Sequence, residues 1–562
     1  MLKADKEFPV SSSENIRLHI ITAMFWLAAA FILFYMLGYR SLWGSEGRWA
    51  EVTREMLLFQ DFFHPQINGQ PYFDKPLLTY WAIIPASWVS GGLNELACRL
   101  PSAIAGIATL WGIMYLGKRL SGNRAGLLAG GLLLASWGFC FWSRTAAADS
   151  ENMAVIVLAL CCYFRFRHKP GFYPYLAFYL ICAIGAHFKG LTAIAVPVVA
   201  LLPDMLRKGR WKTHVNMANI VAMALAALIY VLPFAYAAMT AKGYSENGLT
   251  LALRENVIRF FKAFDHQDPF YCYIYYLPFL MFPWIFLAIA ALYDRIRNFR
   301  LLDEGQQWIA LALLSIFLLF TLSTSRRSYY ILPAVPFLSL FMADFIMHPG
   351  NQRTKTLAIS CQEILLFLIA VVETASPAIW PLSEKFTGFA APLSLQVSTA
   401  LIGVFALLFM GAGRIAWLWP GKTVSVETRR MISMVICASV LLGGFFCFQQ
   451  NSLEVYRSKK PFILKLKTMI PDIPPEKIGL SKIMAGVVFY LDMPRPVKDV
   501  GKRENLMKFL DQHGRKVIIA RKKDSHKVLP FLTREQSSLI LSAPEYPWSK
   551  RNRYGLEAWE IR

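Results

Sequence analysis

Cysteine is absent after Cys447, and the nine cysteines of this 562-residue chain all lie in or near hydrophobic runs. They read as small core residues, and the stretch from 451 to 562 is therefore not a disulfide-stapled module. That stretch also lacks a glycine-rich phosphate loop, a metal-ligand spacing and a nucleophile elbow. It has no visible chemistry of its own, and its expected role is to cover or shape something else. The first hydrophobic run is long, follows a polar stretch and shows no small-residue cleavage site, so a cleaved signal peptide is not expected.

What is present is apolar surface. The chain is 56% hydrophobic and 14% aromatic, with a mean hydropathy of +0.40, the composition of a bilayer protein. Hydrophobic runs at 18–38, 96–118, 124–142, 151–166, 172–187, 190–206, 216–240, 272–293, 306–323, 329–347, 356–374, 394–413 and 429–449 predict about thirteen transmembrane helices, at ~20 residues per crossing. The runs around Cys161 and Cys182 are short, as for tilted or partly embedded helices. The expected fold is mostly α and polytopic, with residues 1–450 in the membrane domain and a first outer loop at 39–95.

Basic residues are retained on the cytoplasmic side in short loops. One set of alternate loops carries Lys118, Arg119, Arg124, Arg165, Arg167, Lys169, Arg207, Lys208, Arg210, Lys212, Arg295, Arg297, Arg300, Arg353, Lys355, Arg414, Lys422, Arg429 and Arg430. The other short loops hold only Arg144, Lys189, Arg326, Arg327 and Lys385. This asymmetry predicts a cytoplasmic N-terminus and, with an odd number of spans, a C-terminal tail on the opposite, periplasmic face. The net charge of +23 is thereby explained by topology, with attraction to anionic headgroups as a lesser reading. No nucleic-acid partner is expected.

The tail changes period. Lys460 to Ile470, Ser481 to Leu491 and Glu504 to His513 read as helices, and Lys516 to Ala520, Ser538 to Ser542 and Leu556 to Ile561 as strands. Residues 451–562 are expected to form a small soluble α/β domain.

Several segments on the non-cytoplasmic face depart from ordinary loops. In the run from Gly44 to Met56, Ser45 can cap a helix from Glu46, with Trp49, Val52, Met56 and Phe59 on one side and Arg48, Glu51, Arg54 and Glu55 on the other. The bland alternative is an interfacial anchor. Against it stands Tyr72-Phe-Asp-Lys-Pro76, where Asp74 and Lys75 precede a helix-starting proline. Next comes 143–150, with Arg144 and Asp149 at the mouth of two runs. An interfacial carboxylate is costly, although it could also simply cap the next span. His187-Phe-Lys-Gly190 places Lys189 in a tight turn, where snorkelling is an equal reading. The loop 241–270 carries Arg259 between apolar neighbours and His266, a histidine of the type more often found on a surface. Finally Ser323 to Pro333 carries Arg326, Arg327 and Tyr330, and paired arginines are suited to phosphate. Together they describe a cavity with carboxylates beside phosphate-binding cations, fitting glycosyl or phosphoryl transfer from a lipid-linked donor.

The sequence resembles the GT-C superfamily of integral-membrane glycosyltransferases, in the branch of bacterial aminoarabinose transferases and protein O-mannosyltransferase-like enzymes. Glu46-x-Arg-Trp-Ala-Glu-x-x-Arg-Glu-Met56 is similar to the family's first-loop motif, with Glu46, Arg48, Trp49, Ala50, Glu51, Arg54, Glu55 and Met56 as the matching residues, and Tyr72 to Trp81 is similar to its Tyr-Phe-Glu-Lys-Pro run. Asp149, Lys189-Gly190, Arg259-Phe260 and Tyr330 to Pro333 fall on further family positions. The resemblance implies inverting sugar transfer from a polyprenyl-phosphate donor to lipid A, another glycolipid, a glycan or a protein, at the outer face of a bacterial inner membrane. Asp149 or Glu46 would orient or deprotonate the acceptor. Lys75, Arg48, Lys189, Arg259, Arg326 and Arg327 would hold donor phosphate, with Asp74, Tyr72, His266 and Tyr330 lining the cavity.

Three departures bear on the site. Ser45 stands where the family has its usual catalytic aspartate, so Glu46 would have to substitute. Asp74 stands where the family has a glutamate and Asn256 where it has a histidine, so the divalent metal associated with those two positions is not expected, nor is any other cofactor. The rival class is a transporter or flippase of lipid-linked intermediates, which would be expected to show repeat symmetry; no convincing repeat is found.

Overall fold

The computed structural model describes residues 12–562 apart from 73, 208, 241–253, 255–257, 263–266, 349, 388–390, 413–425, 455–457, 533–536 and 545–554. His266 and Asn256 therefore lie outside the described residues. The first half is helical: α1 (Ser12–Phe34), α2 (Glu46–Phe59), α3 (Leu78–Val89), α4 (Glu95–Ser121), α5 (Asn123–Leu134), α6 (Trp137–Ser143), α7 (Asp149–Phe166), α8 (Phe172–Lys189) and α9 (Thr192–Arg207). Longer apolar helices follow, among them Met217–Thr240, Glu304–Leu322, Gln352–Thr374, Leu393–Ala412 and Val426–Ser452.

Among the described residues, six helices are long and apolar enough to cross a membrane, or seven if α5 and α6 count as one bent span. That is fewer than the hydropathy count, for local reasons. The run 124–142 breaks between α5 and α6, which meet at 70°, and the freed Trp137 N–H donates to the Phe282 carbonyl at 2.9 Å. The run 272–293 divides into Cys272–Leu280 and Ile285–Arg297 around Pro283, where proline cannot continue the hydrogen-bond ladder. The run 329–347 becomes helical only at Ala334. The short helix α7 is buried on nearly every side, packed among α4, α8 and α9, so its apolar residues face protein.

The tail forms a mixed five-stranded sheet. With β1 (Gln66–Ile67) and β2 (Gln70–Pro71) forming a hairpin in the first loop, the tail strands are β3 (Ile478–Leu480), β4 (Lys498–Asp499), β5 (Lys516–Arg521), β6 (Ser537–Ser542) and β7 (Leu556–Ile561). Their order is β4-β3-β5-β7-β6, parallel across the first three and antiparallel across the last three. Helices Lys460–Met469, Ala485–Leu491 and Arg503–Leu510 match the expected positions, each shorter than the sequence suggests. The strands β3 and β4 escape sequence reading because two or three residues carry no visible period.

Two expectations about α2 change. Ser45 makes no side-chain cap, its backbone being helical at φ −82° and ψ −13°. More important, α2 is not a helix with one wet face. Trp49, Val52 and Met56 are buried as expected, but so are Glu51 and Glu55, while Phe59 is exposed. The tail covers the polar face. Residues of α2 and α3 share one apolar core with Ile463, Leu466, Val487, Val488, Ile519 and Leu556. Polar ties close the seam: Asn68 donates to the Val497 carbonyl at 2.8 Å and accepts from the Val497 N–H at 2.9 Å. The Glu55 carboxylate accepts the N–H groups of Asn68 and Gly69, and Lys460 and Tyr490 both reach Glu95, at 2.6 and 3.0 Å.

Two glycines meet closely at the seam: a Cβ on Gly47 would stand 2.5 Å from Gly486 Cα and 2.7 Å from its nitrogen, whereas a Cβ on Gly486 would meet only Gly47 Cα at 3.7 Å. Gly47→Ala is therefore expected to destabilise the loop–tail seam by about 1–3 kcal/mol and Gly486→Ala by less than about 0.5 kcal/mol. Thermal unfolding of the two variants in detergent, with protease release of the tail, checks the asymmetry.

Candidate active site

The N-terminus of α2 is held by a buried ion-pair cluster. Glu46 is wholly buried. Its oxygens accept Arg99 Nε at 2.7 Å and Arg99 Nη2 at 2.9 Å, Arg40 Nη2 at 3.2 Å, the Trp43 N–H at 3.1 Å and the Ala146 N–H at 2.9 Å. Arg99 spends its remaining donors on the carbonyls of Leu37, Arg40 and Ser41. Burial alone would push the Glu46 carboxyl up, but the guanidiniums of Arg99 and Arg40, with the hydrogen bonds from Arg99 and Ala146, outweigh it and hold the group down at about 2. Sequence reading missed Arg40 and Arg99; a lone arginine inside the apolar start of α4 was the available signal.

The Ala146 contact carries the turn 144–148 against α2 and so sets the start of α7, where Asp149 stands. Arg144 braces the same turn from the other side, donating to the carbonyls of Ile32, Tyr35 and Phe446. Asp149 is buried and forms an ion pair with Lys189 at the end of α8. The Lys189 ammonium lies 5.5 Å from the Tyr329 ring centre and 5.8 Å from that of Tyr330, within cation–π range. Arg259 donates to the Tyr330 hydroxyl and to Ser325 Oγ, both at 3.1 Å. Asp149, Lys189, Tyr330 and Arg259 are thus brought together as the motif positions suggested, with Ser325 and Tyr329 as members the sequence did not single out.

A second group surrounds Tyr72. Arg48 donates to its hydroxyl at 3.0 Å, and that hydroxyl donates to Asp74 at 2.8 Å. Asp74 also faces Lys75 at 3.4 Å and Arg48 at 3.6 Å. Burial raises the Asp74 carboxyl, but Lys75, the Tyr72 hydrogen bond and Arg48 bring it below its ordinary value. The link to the first group runs through α3 and α8, where Thr79 Oγ1 donates to the Phe188 carbonyl at 3.3 Å.

The paired arginines separate in role. Arg326 turns inward onto the carbonyls of Asp268, Thr321 and Ser323 and braces its loop. Arg327 stacks on Tyr329, 5.1 Å from the ring centre. Of the two donors the family resemblance implies for a metal, Asn256 replaces the histidine, and Asp74, in place of the glutamate, is engaged by Tyr72, Lys75 and Arg48. No cluster of three metal-binding side chains occurs among the described residues.

The helical architecture, with broken helices and a loop wrapped by a small sheet domain, is a fold of the GT-C type. The chain superposes on the crystal structure of ArnT from Cupriavidus metallidurans bound to undecaprenyl phosphate, with a TM-score of 0.72 at 18% identity, covering 96% of this chain and 97% of that one. Residues 74–236 match the family model described as dolichyl-phosphate-mannose-protein mannosyltransferase. The chain is 30% identical over 354 residues to an undecaprenyl phosphate-alpha-4-amino-4-deoxy-L-arabinose arabinosyl transferase of Edwardsiella ictaluri (strain 93-146), covering 60% of this chain and 62% of that relative's length. A second such transferase, from Sodalis glossinidius, is 29% identical over 69% of this chain and 72% of its own length. The resemblance read from the loop motifs is borne out by these matches.

Replacing Glu46 by Gln leaves two buried guanidiniums short of their counter-charge and is expected to destabilise the fold by about 3–5 kcal/mol, measured as loss of folded protein in membranes. Because the folded-state pKa is depressed, the stabilisation from Glu46 is fully present above its ordinary 4.5 and is lost as pH falls toward about 2. Acid unfolding of the wild type across that window, with a flatter response in the variant, is the expected outcome.

Proposed function

We propose that this chain is an integral-membrane glycosyltransferase that moves a sugar from a polyprenyl-phosphate donor, with inversion, to an acceptor at the outer face of the inner membrane. The observation that carries the reading is the Asp149–Lys189 ion pair beside Tyr329 and Tyr330, with Arg259 held to Tyr330. Carboxylate, cations and aromatic faces there match what attack at an anomeric carbon and departure of a phosphate need.

Asp149 orients the acceptor and takes its proton where the acceptor is a hydroxyl. Lys75, Arg48, Lys189, Arg259 and Arg327 stabilise the phosphate as its charge grows. Arg326 supports them through its loop, and Glu46, saturated by its partners, holds Arg99 and the 144–148 turn in place. The acceptor is lipid A or another glycolipid, or a glycan or protein. In this reading the chain crosses the membrane about thirteen times, counting bent and short helices at ~20 residues per crossing. The N-terminus is cytoplasmic, and residues 451–562 form a periplasmic cap over the loop of the membrane domain 1–450.

Asp149→Asn and Lys75→Ala, assayed in membranes with a polyprenyl-phosphate sugar, are each expected to lower transfer by about 100-fold or more. Near-normal turnover in both would overturn the reading. Mass spectrometry of lipids and glycans from cells with and without the protein identifies the acceptor.

A further inference from the structure

One buried carboxyl close to Asp149 has no role in the reaction as described. Glu151 lies two residues after Asp149 in α7, 4% exposed. Its Oε1 is 2.9 Å from Ser102 Oγ on α4, and its Oε2 is buried with no hydrogen-bond partner. Ser102 Oγ is also 3.1 Å from the Ala147 carbonyl oxygen. The Ser102 backbone carbonyl accepts the Ser150 hydroxyl at 2.8 Å.

A serine hydroxyl has a single proton, and a carbonyl has none to give. With that one proton given to Ala147, the hydrogen between Ser102 and Glu151 comes from the carboxyl. The surrounding charges agree. Lys189 is engaged by Asp149, and every nitrogen of Arg99 is taken by Glu46 or by backbone carbonyls. Among the described residues no cation pairs with Glu151. An anion there would be desolvated, without a paired cation and close to the charge of Asp149.

We propose that Glu151 is held as a neutral carboxylic acid whose proton closes a hydrogen-bond chain, from Glu151 to Ser102 to the Ala147 carbonyl, that positions Asp149. The chain ties the 144–148 turn to α4, while Ala146 ties the same turn to Glu46. Loss of the proton would draw the Ser102 hydrogen toward Glu151, release Ala147 and set a second anion in competition for Lys189. Glu151 is thus a positioning residue, and its importance for turnover rests on the transferase reading above.

The test uses the full-length purified chain. Glu151→Gln keeps shape and supplies an N–H donor to Ser102, so kcat is expected within about threefold of wild type. Glu151→Ala and Ser102→Ala lose the chain and are expected to lower kcat by about 100-fold through misplacement of Asp149, with the donor KM little changed. Infrared difference spectra, wild type minus Glu151→Gln, are expected to contain the carbonyl stretch of a protonated carboxylic acid that shifts in heavy water. Glu151→Gln as impaired as Glu151→Ala, or a carboxylate band in place of the acid band, overturns the proposal. A wild-type chain that transfers no sugar counts against the transferase reading alone, because the infrared band is read without substrate and decides the state of Glu151 by itself.

Discussion

Two guanidiniums and one carboxylate, all removed from water, hold together the loop between α1 and α4 and the turn before α7. Glu46 binds Arg99 from α4, Arg40 from the loop before α2, and the Ala146 N–H from the turn before α7. Charges so placed are tolerated only when their geometry satisfies nearly every donor and acceptor, and here the cluster does so with backbone carbonyls as the remaining partners. The consequence is positional. One side chain sets the start of α2, which bears Arg48, and the turn that presents Asp149, so two groups distant in sequence are placed by one contact.

The tail completes what that cluster begins. A helix with Glu51 and Glu55 on one face would ordinarily turn that face to water. Here Arg54 satisfies Glu51 at 2.9 Å, backbone N–H groups of the β1–β2 turn satisfy Glu55, and the sheet domain closes over both. The apolar core shared by α2, α3 and the tail makes the cap continuous with the loop it covers. The seam connects to the Tyr72 group through α2, where Arg48, which donates to Tyr72, lies next to the buried Trp49.

The legible parts of the site were those with a chemical oddity at a fixed spacing. Lys75 before a proline, Lys189 before a glycine and Asp149 at a helix start stand out because Lys189 and Asp149 lie in short connections with few charges and Lys75 adjoins an apolar run. Their partners were less legible. Ser102 and Ser325 look like any small polar residue, and Glu151 looks like a second acid in a helix's first turn, favourable to the dipole. Only the neighbours across α4 reveal that no cation among the described residues pairs with it. Arg326 and Arg327 appeared equivalent in sequence, and the difference between bracing a loop and stacking on Tyr329 depends on which carbonyls lie nearby.

The sequence by itself determined the membrane class, the helical character, the tail's sheet domain and the identity of the charged loop residues, because hydropathy, period and residue type are local properties. Only the tertiary structure decided where helices break and which carboxylate is structural. Glu46 and Asp149 are both acids at helix starts on the same face. Their roles part because Glu46 meets two arginines and has no unsatisfied oxygen, whereas Asp149 meets one lysine beside two tyrosine rings, and neither environment is written within a few residues of the acid itself.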